Sequence, residues 1–280
     1  MLGYVCKYTP MELFEAMDTE ITRLEPSVTD FNHADTLMHA NICSYTKAVL
    51  EDVMEHDYEG VILTTCCDSI RRLYDTLKSQ FPDKFFFLLD IPRKFNDFAV
   101  ALYERQLKQM LTEYEAFSGK TLDLKRFVSM MQNKAALKKQ ENTRMSASAA
   151  SEKGNGQKLN IGIMGARCNN EIRQLLVDRG ANLLFDLTCT GLARDFSIAE
   201  DQVLHSYAAA LLNQIPCMRM LKAANREHFL DGFTDRLDGI IYHTVKFCDS
   251  YSYEYADFRQ RLDLPILLVE TDSTRQCAGQ

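Results

Sequence analysis

Nine cysteines stand in this sequence, and two of them, Cys66 and Cys67, are neighbours at the end of the apolar run "GVILTT". Thiols can attack carbon, oxidise to disulfides or bind soft metals. The count is odd, 280 residues is not a small scaffold, and "MLGYVCKYTPMELFEAMD" has no basic segment followed by a long apolar stretch. A secreted disulfide framework therefore does not fit, and a reducing cytoplasm is the expected setting. No C-x-x-C pair is present, so a standard zinc site does not fit either. Thiols that bind metal here must converge from distant segments.

The elements around the cysteines say where they converge. "GVILTTCC", "NIGIMGARC", "NLLFDLTC" and "GIIYHTVKFC" each place a cysteine at or just past the carboxyl end of a strand-like run. Open α/β sheets bind ligands at that edge. Helix N-termini there carry free N–H groups and positive potential, which favour thiolates and anionic cofactors. Cys43 precedes the helical pattern "CSYTKAVLE", a similar setting, and Cys6 follows the first strand run. Cys217 and Cys277 have no such placement and read as packing residues. Any single cysteine reads most simply as a buried structural thiol. As a set at one edge, they fit an iron–sulfur cluster in a cleft between domains, because cluster iron takes thiolate ligands.

Strand and helix signals alternate up to "KFFFLLDIP", with Thr9 and Pro10 as a helix start. Two long helical patterns follow, and residues 142–157, "NTRMSASAASEKGNGQ", read as a flexible linker. The alternation then resumes. The expected organisation is an N-terminal α/β domain over 1–118, a helical connection and linker over 119–157, and a C-terminal α/β domain over 158–280. Both domains are expected to carry parallel sheets. Net charge is −7 and no dense basic run occurs, so nucleic acid is not an expected partner. Apolar runs are strand-sized, so no membrane span is expected.

Six segments, "ANICSYTKAVLE", "LTTCCDSIRRLYD", "DLTCTG", "IPCMRM", "IIYHTVKFCDSYSYEY" and "LLVETDSTRQCAGQ", resemble in order the 2-hydroxyacyl-CoA dehydratase family. That family includes the 2-hydroxyglutaryl-CoA dehydratase D-component, the benzoyl-CoA reductase cluster subunits and the double-cubane-cluster proteins. The resemblance implies two Rossmann-like domains with a [4Fe-4S] cluster between them. It implies a cytoplasmic, oxygen-sensitive enzyme working with a homologous second subunit or as a homodimer. An ATP-hydrolysing iron–sulfur activator would supply the electron. The reaction implied is ketyl-radical elimination of water from an acyl-CoA substrate. Carried over by motif, the ligands are Cys43 (with Lys47), Cys67 (with Asp68) and Cys248 (with Asp249).

Cys66, Cys168 and Cys189 depart from the dehydratase pattern, and six cysteines would suffice for the double-cubane [8Fe-9S] group. A double-cubane reductase of small molecules and a non-catalytic electron-relay subunit are the alternative readings. The family pattern continues past "GQ", so the chain is expected to be truncated or its edge covered by a partner. Around the cysteines, His243 reads as a hydrogen-bond donor to the site or a satisfied core histidine. Glu270 and Asp272 read as cleft acid/base groups or as helix caps. Lys246 reads as offsetting cluster charge or as an ordinary loop lysine. Arg219 and the pair Arg71–Arg72 read as contacts to CoA phosphates or an acidic partner, or as surface ion pairs.

Overall fold

A computed structural model of the chain describes residues 1–149, 158–168, 170–191, 198–215, 217–220 and 224–274. The apolar and β-branched runs form two four-stranded sheets. The first is β1 (Leu2–Tyr4), β2 (Ile21–Arg23), β3 (Gly60–Thr64) and β4 (Phe85–Leu89), in spatial order β2-β1-β3-β4. The second is β5 (Asn160–Gly165), β6 (Asn182–Thr188), β7 (Gly239–Val245) and β8 (Ile266–Thr271), in order β6-β5-β7-β8. All pairings are parallel. The chain thus lays down the same strand order twice. In each sheet the order reverses between the first and third strands, where ligands of doubly wound folds bind.

The helices are α1 (Met11–Ala16), α2 (Asn32–Leu37), α3 (Ser44–Glu55), α4 (Asp68–Gln80), α5 (Asp97–Ser118), α6 (Leu124–Ala149), α7 (Asn170–Asp178), α8 (Val203–Leu212), α9 (Ala224–Asp231) and α10 (Asp249–Arg261). Pleat alternation splits the first sheet between two cores. Phe85, Phe87 and Leu89 join α1, α5, α6 and α8, whereas Val61, Leu63 and Phe86 join α3 and α4. Helix α4 buries Ile70, Leu73 and Leu77, an i, i+3, i+7 stripe. Helix α5 is fixed at both ends: the Asn96 side chain accepts from the Ala99 N–H, and Gly119 closes it at φ 71°.

Three features depart from the sequence expectation. Strand β2 and helix α2 have no clear signal, because each is short and gains its stability from packing rather than periodicity. Helix α6 runs to Ala149, through the first half of the expected linker, whose Arg, Met and Ala residues are compatible with helix. Residues 150–157 lie outside the described residues. Helix α8 comes after β6 in sequence yet packs on α5, and Tyr207 meets Phe127 of α6 edge-to-face at 5.1 Å. A helix from the second half of the sequence thus completes a core of the first.

The two sheets are joined by directed polar contacts. The Arg167 guanidinium donates to the Leu24 carbonyl at 2.9 Å and to the Val5 carbonyl, and stacks 4.1 Å from the centre of the Tyr45 ring. Arg23 donates to the Thr190 carbonyl at 3.1 Å, and the Ser44 N–H to the Lys246 carbonyl at 3.2 Å. Arg167 occupies the second residue past β5 because Gly165 turns the chain there. Gly165 holds φ 105°, and a Cβ on it would lie 2.1 Å from the His243 carbonyl oxygen. Gly165→Ala is therefore expected to cost about 2–4 kcal/mol through clash and left-handed strain. Urea unfolding measures it, and an unchanged midpoint would contradict the reading.

Candidate metal centre

Seven of the nine cysteines line one cavity of about 480 Å³ between the sheets: Cys6, Cys43, Cys66, Cys67, Cys189, Cys217 and Cys248. The volume falls within the roughly 300–1,000 Å³ common for ligand clefts. Cys6 lies two residues past β1, Cys66 and Cys67 two and three past β3, and Cys189 directly past β6. Cys43, Cys67 and Cys248 hold the N-cap positions of α3, α4 and α10. Three helix N-termini from both halves thus converge on one space, each delivering a sulfur and free N–H groups. The N–H three residues on, from Thr46, Ile70 and Tyr251, favours the ionised sulfur in each case.

The thiols form three groups. Cys6, Cys66 and Cys67 form the first, and Cys66 feels both of the other two thiols. Its two thiol partners, Cys6 first, hold Cys66 well below the ordinary thiol range, while Cys6 and Cys67 are raised. Cys43 and Cys248 form the second, in which the Cys248 thiol holds Cys43 down at about 7 and is itself pushed up. In the third, Cys189 donates to the Tyr251 hydroxyl at 3.0 Å, that oxygen also lies 3.3 Å from the Cys217 sulfur, and the neighbouring Cys189 thiol holds Cys217 well below the ordinary thiol range. Each group therefore stabilises one ionised sulfur. Among the described residues no three His, Cys, Asp or Glu side chains meet closely enough to hold a single ion. Thiols spread around a cavity in this way suit a polynuclear iron–sulfur group, which is gripped at separate corners.

The wall is cationic around these sulfurs. Lys7, Arg93, Arg167 and Arg219 line it, against Asp68 and Asp249. The Lys7 ammonium donates to the Ile215 carbonyl. Burial opposes the charge on Arg219, but the sulfurs of Cys66, Cys217, Cys67 and Cys189 outweigh it and keep the guanidinium protonated. Phe247, at the lip beside Cys248, is held at φ 63°, a left-handed conformation costly for an aromatic residue. The turn at Phe247 leads from β7 into Cys248 at the start of α10.

The sequence-based site residues divide. Cys43, Cys66, Cys67, Cys189 and Cys248 line the cavity; Cys168 does not. Cys168 is buried past β5, where desolvation pushes its thiol up to about 12 beside Arg173 and Asp186. Its place on the cavity wall is taken by Ala166 and Arg167. Neither His243 nor Glu270 is among the residues that line the cavity, and His243 matches the core-histidine alternative. Glu270 is on edge strand β8 and is exposed. Lys246 is exposed over the Phe247 ring, Arg72 pairs with Asp75 at 3.0 Å, and Asp272 caps a turn by accepting from the Thr274 N–H at 3.1 Å. Cys217 gave no signal because it sits in an irregular segment past α8, placed only by tertiary packing. Cys277 lies outside the described residues.

His243 is a core residue, 1% exposed, with Nε2 3.0 Å from the Thr271 hydroxyl. Burial lowers its pKa from 6.5 to about 4. Between those values the unfolded chain binds a proton that the folded chain does not. The neutral ring's contribution is therefore complete above about pH 6.5 and is lost as pH falls toward 4. Unfolding free energy should drop by about 2 kcal/mol from this group between pH 7.5 and pH 5. His243→Gln should flatten that part of the pH profile in urea titrations, and an identical slope in variant and parent would contradict it.

A comparison with curated proteins finds no match. Among the described residues no helix is long and apolar enough to cross a membrane. Residues 6–151 and 128–280 match the family model described as 2-hydroxyglutaryl-CoA dehydratase, D-component. The resemblance in the six cysteine-bearing segments and the thiol-lined cavity between two α/β halves agree with that match. This chain belongs to the 2-hydroxyglutaryl-CoA dehydratase D-component family.

Proposed function

We propose that the chain is the iron–sulfur subunit of a 2-hydroxyacyl-CoA dehydratase-type enzyme, eliminating water from a 2-hydroxyacyl-CoA after one-electron reduction. The observation that carries this reading is the set of three N-cap thiols, Cys43, Cys67 and Cys248, on one cavity. They would hold a [4Fe-4S] cluster, with the helix N-termini offsetting its negative charge. Three thiols leave one cluster iron free of protein ligand. When bound, the cluster supplies low-potential electrons and an iron position open to an oxygen ligand.

The chain's own groups have separable tasks. Arg167 fixes the two halves and so the spacing of their sulfurs. Arg93, exposed at the cavity lip, is a cation suited to the phosphates of a CoA ester. Asp68 and Asp249, the first residues of α4 and α10, are the carboxylates on the wall, placed to exchange a proton with a bound acyl group. A family named for a component implies a further component, and we assign that role to a homologous subunit or a second copy. The electron donor is assigned to an ATP-hydrolysing iron–sulfur activator. Exposed apolar side chains outside the cavity, Phe98 on α5 and Leu267 on β8, offer surface for such partners.

A second reading has its own support. Cys6, Cys66, Cys189 and Cys217 are four further thiols on the same wall, enough with the first three for a double-cubane [8Fe-9S] group and a reductase activity. Iron and sulfide counts after anaerobic purification separate the two: about four irons per chain for one cubane and about eight for two. Cys67→Ser should lose or distort the cluster on either reading. Cys217→Ser should keep all the iron if there is one cubane and lose about half if there are two. An iron-free protein from anaerobic, iron-replete cells would contradict both.

A further inference from the structure

Arg219 is the cation that neither the fold nor the family assignment explains. It follows Cys217 by two residues in the segment between α8 and α9 and lines the cavity. Its Nε is buried without a hydrogen-bond partner. Among the described residues no carboxylate lies within ion-pair distance of it, so it is not the surface ion pair its sequence context suggests. Burying a guanidinium without a counter-charge is costly. It shares the cavity wall with sulfur from both halves of the chain, Cys66 and Cys67 past β3 and Cys217 and Cys189 from the second half, and these are the groups that support its charge. The other cavity cations are engaged elsewhere or exposed: Arg167 on the Val5 and Leu24 carbonyls, Lys7 on the Ile215 carbonyl, and Arg93 at the lip.

We infer that Arg219 is a positioning residue that sets the reduction potential of the thiolate-held group, by placing a permanent positive charge between the sulfurs of the two halves. This rests on the iron–sulfur reading above. One-electron reduction by an external donor adds one negative charge at the sulfurs and moves no proton, since guanidinium stays protonated throughout. A fixed charge on the half-buried cavity wall favours the more negative state, because screening there is weaker than in bulk water. Removing it must therefore make reduction harder, and lysine in its place must largely preserve the effect. Methionine matches the length of the side chain without its charge.

The test uses anaerobically purified full-length chain, with dithionite as the electron donor. Iron content, circular dichroism and the midpoint potential, followed by electron paramagnetic resonance, are measured for the parent, Arg219→Met and Arg219→Lys. The expected result is parental iron content in Arg219→Met, with at least a tenfold loss in the one-electron reduction equilibrium. That is about 59 mV toward more negative potential. Arg219→Lys should lie close to the parent. An iron-bearing Arg219→Met with unchanged potential would overturn the inference, and if only the Michaelis constant for an acyl-CoA rose, Arg219 would be a phosphate contact instead. If Arg219→Met folds but loses iron, Arg219→Lys decides. Retained iron and potential support the charge role, and loss in both variants overturns it. A parent protein without iron would instead refute the iron–sulfur reading itself.

Discussion

Everything near the cavity follows from one electrostatic problem. Several ionised sulfurs must sit close together, away from water. Each sulfur repels the next, and burial penalises every charge. The chain answers with three helix N-termini and a ring of cations. Cys43, Cys67 and Cys248 each start a helix, so their nearest backbone partners are N–H groups. Arg219 adds a full charge where Cys66, Cys67, Cys189 and Cys217 approach. In each group one thiol, Cys66, Cys43 or Cys217, is lowered by its neighbouring thiol.

This demand explains the architecture. A parallel strand followed by a helix places a helix N-terminus at the carboxyl edge of the sheet. A strand order that reverses between the first and third strands opens a crevice at that edge. Building the same order twice, and facing the edges toward each other, brings two such crevices onto one cavity. Alignment then depends on a few cross-contacts, chiefly Arg167 reaching the Val5 and Leu24 carbonyls and the Tyr45 ring. Helix α8, drawn onto α5, ties the second half back to the first. Tyr207 reinforces that tie by donating to Glu12 at 2.5 Å.

Much of this was legible in the sequence for a physical reason. Buried parallel strands are short apolar runs, so "GVILT", "FFFLL" and "GIIYHTV" announce themselves, and a cysteine just past such a run lands at the ligand edge. What failed was side-chain direction. Cys168 follows a strand as the others do, but the turn at Gly165 presents Ala166 and Arg167 to the cavity and sends Cys168 into the interior. Glu270 is the penultimate residue of edge strand β8, where its side chain is exposed. Cys217 and Arg219 belong to an irregular segment with no period to read, and only tertiary packing delivers them. Strand β2, three residues long, is below what periodicity can detect.

The central claim is that the thiols of both halves hold one iron–sulfur group between the sheets. Diffraction from anaerobically grown crystals, collected on both sides of the iron absorption edge, locates iron directly. The account predicts anomalous density inside the cavity, bounded by Cys43, Cys67 and Cys248. Iron bound elsewhere, or a cavity without iron in a protein whose solution sample contains it, would contradict the account.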